Sequence, residues 1–65
     1  MIEYTNSQIE EAINENIHDL KHREILKSRL IDNLTHEELA TKYAYSVRQI
    51  KRIVYRGQAK LFEKL

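Results

Sequence analysis

No cysteine and no proline occur among the 65 residues, tryptophan is absent, and Gly57 is the single glycine. The missing cysteines exclude disulfide staples and thiolate metal sites. The missing prolines and the lone glycine remove the usual backbone-imposed breaks, so helix boundaries must be set by side chains. Strand-like alternation of apolar and polar residues is also absent, which leaves a nearly all-helical chain as the expectation. No apolar run approaches the roughly 20 residues that span a bilayer. The opening residues M-I-E-Y-T-N-S-Q lack the basic start and apolar segment of a secretory leader. A cytoplasmic protein with no membrane partner is expected.

The first twenty residues lack positive charge. They hold Glu3, Glu10, Glu11, Glu15 and Asp19 and no Lys or Arg, whereas residues 21–65 hold all eleven Lys and Arg against five acids. The formal net charge of +1 therefore averages two unlike segments. From Lys42 to Lys60 there are six basic residues and no acidic one. The local field, rather than the total charge, decides what polyanion can approach.

What is present is helical periodicity. Sixty-five residues make one domain, which buries roughly 60% of its unfolded surface and must draw its stability from helix packing. Thr5, Asn6 and Ser7 can cap a first helix over about residues 7–19, with Ile9, Ala12, Ile13, Ile17 and Leu20 on its inner stripe. Glu10, Glu11, Asn14 and His18 take its outer face, and acids in its first turn suit the helix dipole. A boundary falls around residues 18–21, because Ile25 is out of phase with the first stripe. The next helix turns Leu26, Leu30, Ile31 and Leu34 inward and ends at Asp32 and Asn33, where Asn tolerates the left-handed conformation.

The stretch from Leu34 to Leu61 organises the rest. Thr35 and Glu38 have the spacing of a capping box ahead of a short helix over residues 36–42. Ala40 supplies a small side chain where two helices would meet closely, and Leu39 and Tyr43 give an apolar pair. Tyr43, Ala44 and Tyr45 form a turn, with Tyr45 folded inward, and Ser46 caps a last helix over residues 47–63. On that helix Ile50, Ile53, Val54, Gly57 and Leu61 share one face, and Arg48, Lys51, Arg52, Tyr55 and Arg56 lie opposite. Two caps separated by a few turn residues define a helix-turn-helix over residues 35–62, whose second helix can enter a DNA major groove. The expected fold is a small all-α four-helix domain: a tri-helical core containing the helix-turn-helix, plus an N-terminal helix.

The segment from Arg23 to Leu61, about three-fifths of the chain, resembles region 4 of bacterial sigma factors and the related helix-turn-helix regulators of phage and mobile elements. The resemblance rests on the ungapped series R-E-I-L-K-S-R-L-I-D-N-L-T-H-E-E-L-A-T-K-Y-A-Y-S-V-R-Q-I-K-R. Its particular matches are the R-E-x-L opening, Leu34-Thr35, Glu37-Glu38-Leu39-Ala40, Ser46 and Ile50. Ala44 stands where the family often has glycine, implying a less strained turn, and Tyr45 replaces the usual aliphatic residue. The N-terminal twenty residues lie outside the resemblance. The regions that a sigma factor needs for the −10 element and the polymerase clamp are missing, so the chain resembles a free-standing regulator.

The functional expectation is a sequence-specific double-stranded DNA-binding protein that regulates transcription, or assists excision or recombination in a mobile element. Val47, Arg48, Gln49 and Lys51 are the candidate base readers, and the resemblance implies base contacts at the same place. Arg48 matches guanine O6 and N7, Gln49 matches adenine N6 and N7, and Val47 suits a thymine methyl. Thr35, His36, Lys42, Ser46, Arg52 and Arg56 are the candidate phosphate contacts, with Lys27 a weaker one. Tyr55, Phe62 and Leu65 are candidate contacts of a homodimer, as are Ile2 and Tyr4 with the N-terminal stripe; two-fold pairing would give two half-sites.

The alternative is a region-4-like interaction module that binds RNA polymerase or another regulator. RNA binding lacks the exposed aromatic platforms that its modules use. His18 and His22, four apart with Asp19 between them, have a spacing that can hold a metal on a helix, but no third ligand is near and exposed histidines are common. With no carboxylate pair, activated nucleophile or Gly-rich phosphate loop, the chain is expected not to be an enzyme and to need no cofactor, metal or small-molecule substrate.

Overall fold

Four side-chain caps, none of them glycine or proline, partition the chain. A computed structural model describes residues 4–64 as α1 (Asn6–Asn16), α2 (Leu20–Leu30), α3 (His36–Tyr43) and α4 (Val47–Lys64), with no strand among the described residues. Thr5 caps α1: its Oγ1 accepts from the Gln8 N–H at 3.1 Å, and the Gln8 Oε1 accepts from the Thr5 N–H at 2.9 Å. Thr35 and Glu38 form the same reciprocal box at α3, with distances of 3.1 and 2.9 Å. Ser46 and Gln49 form it at α4, with both contacts at 3.1 Å. Because α1 starts at Asn6, no acid falls in its first turn, and the expected dipole contribution of Glu10 and Glu11 is absent.

The first helix stops three residues short of the expected 19. Ile17 leaves the helical region at φ −109°, ψ 114°. Side chains close this end: the Arg23 guanidinium donates to the oxygens of Ile17 and Asn14, which no helical N–H meets, and Asn16 Nδ2 folds back to donate to the Ala12 oxygen at 2.9 Å. Asp19 then opens α2, its Oδ1 accepting from the N–H groups of Lys21 at 2.9 Å and His22 at 3.1 Å. A carboxylate and a guanidinium thus do what a Gly or Pro would otherwise do. At the far end of α2, Ile31 is the C-cap and Asn33 takes the left-handed conformation at φ 60°.

The helices pack with α2 and α4 at the centre, α1 and α3 each touching both, and no contact between α1 and α3. Two clusters of buried side chains result. Ala12, Ile13, Ile17, Leu26 and Leu61 fill the space under α1, with Ile9 and Leu30 partly buried beside them. Ile25, Leu39, Ile50 and Val54 fill the space under α3, with Leu34, Ala40, Tyr43, Tyr45 and Ile53 at the margin. Ile25 and Leu26, adjacent on α2, therefore serve different clusters, which explains why Ile25 breaks the phase of the first stripe. Leu20, expected inside, is 71% exposed, because α1 has ended before it and α2 turns it outward. Gly57 lets α2 close on α4: a Cβ there would lie 2.5 Å from Leu26 Cδ1.

Among the described residues the one buried polar residue, Ser28, is satisfied by the Tyr43 hydroxyl at 2.9 Å, which ties α3 to α2. Arg29 Nη1 donates to the Leu34 oxygen at 3.0 Å and holds the loop between these helices. Residues 44–46 join α3 to α4. Ala44 sits at φ 59°, ψ 41°, and the Ala40 oxygen accepts from the N–H groups of both Ala44 and Tyr45. The turn is therefore the left-handed one that favours glycine, and the less strained turn expected from alanine does not form. Left-handed φ costs a non-glycine residue about 1–2 kcal/mol, and the exposed Ala44 methyl packs against little. Ala44→Gly, after its unfolded-state entropy cost, should gain about 1 kcal/mol and raise the thermal midpoint by about 4–8 °C. A midpoint at or below that of the parent chain, read by circular dichroism, would refute the strain assignment.

Candidate nucleic-acid interface

The Ser46–Gln49 box starts α4 at the turn, and the apolar face of Ile50, Val54, Gly57 and Leu61 anchors it. Arg48, Lys51, Arg52, Tyr55, Arg56 and Lys60 are all exposed. Among the described residues the one ion pair within 4.0 Å joins Lys27 to Glu10, at 3.8 Å. Among the described residues Arg48, Lys51, Arg52, Arg56 and Lys60 are thus in no ion pair, and they lie exposed along an 18-residue helix.

The structure sorts the expected site residues. Arg48 and Lys51 stand free near the helix start, and Val47 is half-buried beside them. Gln49 is exposed, but its Oε1 accepts from both the Ser46 N–H and, at 3.3 Å, the Ser46 hydroxyl. A bidentate grip on adenine needs that same oxygen, so reading by Gln49 would give up the reciprocal half of the α4 box and leave only the Ser46 hydroxyl on the Gln49 N–H. Ser46 is likewise committed to capping. Arg52 and Arg56 are exposed along the next two turns.

The N-terminal end of α3 departs from its expected role. The Thr35 hydroxyl and N–H are both used in the box, and Glu37 and Glu38 bring two carboxylates into the first turn, where a phosphate would have to sit. His36 turns its ring edge-on to Tyr55, with centroids 5.9 Å apart and planes at 83°, and its Nε2 is buried without a hydrogen-bond partner. Thr35 and His36 are therefore structural rather than phosphate-facing. Lys42 is exposed, its Nζ 5.4 Å from the centroid of the neighbouring Tyr43 ring, and Lys27 is drawn to Glu10. Tyr55 and Phe62 are 58% and 56% exposed on α4, while Ile2 and Leu65 lie outside the described residues.

Arg52 and Arg56 also form, with Lys60, one wall of a groove of about 500 Å³ whose other wall is the corner between α1 and α2. His18 and His22 stand on that corner. They join no cluster of three metal-ligating side chains among the described residues. Sequence reasoning passed over Lys60, although its place four residues after Arg56 and eight after Arg52 was a usable signal.

Two carboxylates carry perturbed acidity. The Thr35 N–H and hydroxyl hold the Glu38 carboxyl below its ordinary 4.5. The His22 N–H, helped by the nearby His22 and Lys21 charges and the Lys21 N–H, holds Asp19 below 3.8. A lowered folded value means that the fold favours the ionised form. The stabilisation is present above the unfolded values and fades as pH falls through the folded ones. Urea midpoints should accordingly be flat from pH 7 to about pH 5 and fall below about pH 4. Asp19→Asn, which still caps but does not titrate, should flatten that fall, and an unchanged acid limb would count against the cap as its source.

No family model matches the chain, and neither the curated proteins nor the solved structures yield a match. Among the described residues no helix is long and apolar enough to cross a membrane.

Proposed function

We propose that α3 and α4 act as a helix-turn-helix that binds double-stranded DNA, with α4 in the major groove. The carrying observation is the row of exposed cations, Arg48, Lys51, Arg52 and Arg56, in no ion pair among the described residues, on a helix capped at its reading end. Phosphate contacts position such a helix, and the side chains of its first turns read bases. Arg48 and Lys51 are the base readers of this reading, and Arg52 and Arg56 the phosphate clamps. The protein would serve as a transcriptional regulator or as an accessory factor in excision or recombination.

A homodimer would supply the second half-site. Tyr55 and Phe62 favour it, but two α4 helices meeting through that strip would bring like charges together, so duplex DNA or raised salt should promote pairing. The same exposed pair favours a second reading, a module that docks on RNA polymerase or another regulator.

Fluorescence anisotropy with a random duplex, beside pull-down with RNA polymerase, separates the two. The DNA reading expects binding at low salt whose logarithm falls linearly with that of the salt concentration, by about 0.9 per phosphate contacted. Capture of polymerase by a chain with no affinity for any duplex would replace the first reading by the second.

A further inference from the structure

We propose that the groove between α4 and the α1–α2 corner binds a small organic anion with an apolar body. Its size falls within the ~300–1,000 Å³ usual for small-molecule sites, at about 500 Å³. The floor is apolar: Ile17, Leu26 and Ile53 line it, and Gly57 contributes backbone in place of a side chain. Such a floor excludes a bare hydrated ion as the best ligand, because it offers nothing to a hydration shell and rewards apolar contact.

The walls set the sign of the ligand. Arg52, Arg56 and Lys60 recur every fourth residue on α4, so their Cα atoms step about 6 Å along the groove. Two neighbours can clasp one sulfonate, carboxylate or phosphate group while the third remains free. None is in an ion pair within 4.0 Å among the described residues. Asp19 is the one acid lining the groove among the described residues, and its Oδ1 is turned to the Lys21 and His22 N–H groups of the α2 cap. Cationic rim and apolar floor together fit an amphiphilic anion, in which each half of the ligand meets its own half of the site.

The site stands on groove geometry alone, but a consequence rests on the DNA reading. Arg52 and Arg56 serve both partners, so a bound anion neutralises two phosphate clamps and weakens duplex binding. By linkage the duplex weakens anion binding by the same factor.

The test is an amide NMR titration of the whole chain with naphthalenesulfonate, run beside neutral naphthol and inorganic phosphate. The expected result is saturable shifts confined to residues 17–26 and 52–60, with a dissociation constant on the order of 0.1 mM. Naphthol and phosphate, each lacking one half of the ligand, should bind at least about tenfold more weakly. Lys60→Glu should weaken the sulfonate by about tenfold or more while leaving the thermal midpoint in place. The proposal is overturned if shifts fail to saturate or fall elsewhere, if naphthol or phosphate binds as well as the sulfonate, or if Lys60→Glu binds like the parent. A chain that binds the sulfonate and no duplex keeps the site and rejects the DNA reading. Duplex affinity unmoved by saturating sulfonate rejects the shared use of Arg52 and Arg56.

Discussion

Arg23→Met lowers the thermal midpoint by roughly 10–20 °C, the largest loss expected from any single change at the protein's partly exposed positions. The stem of the side chain survives in Met, so the loss isolates the guanidinium. That group donates to the Ile17 and Asn14 oxygens, which the end of α1 leaves without helical partners. Hydrogen bonds to a charged group contribute about 1.5–3 kcal/mol each, but partial exposure of these two puts their sum nearer 2–3 kcal/mol. A 65-residue domain has little more than about 5 kcal/mol to lose. Arg23→Lys should recover only part of the loss, since an ammonium cannot present two donors in a fixed fork. Circular dichroism melts decide the matter, and a Met variant within about 3 °C of the parent would remove Arg23 from its structural role.

The second large effect concerns the duplex. Arg52→Ala with Arg56→Ala should weaken binding to all sequences alike, by about 30–100-fold at low salt, and reduce the salt slope by about 1.8. Arg48→Ala should act differently, costing about 1–3 kcal/mol on the preferred site while sparing random duplex. Both patterns follow from position. Arg48 stands in the first turn of α4 beside Val47, and Arg52 and Arg56 one and two turns further along. Binding curves over a range of salt, with the preferred site obtained by selection from a random DNA library, read both quantities. If Arg48→Ala and the double variant lose affinity in the same proportion on every sequence, base reading has been assigned to the wrong end of the helix.

Much of the candidate site was legible because the features that make it are local. The capping boxes at Thr35 and Ser46 are set by side chains three residues apart, and the apolar and basic faces of α4 follow from helical period alone. The misassigned residues are those whose local chemistry suited two uses. Thr35, Ser46 and Gln49 have oxygens that can serve a phosphate, a base or a helix end, and the helix end is nearest. His36 has an imidazole that could serve a phosphate, but its Nε2 is buried and its ring packs against Tyr55 from two turns along α4, a contact that no spacing rule reports. Lys27 was a free cation on paper and faces Glu10 of another helix in space.

By itself the sequence determined the helices, most of their caps and the segregation of charge, since each depends on residues within a turn or two of one another. Tertiary structure alone decided where α1 stops, because the groups that meet its last carbonyls include a guanidinium from α2. It also decided that Ile25 and Leu26 face different clusters, that Leu20 stands outside, and that Ala44 accepts a left-handed turn. At Ala44 the packing of α3 and α4 outweighs a local preference of about 1–2 kcal/mol. Local rules cannot weigh that balance, because its larger side lies in residues distant along the chain.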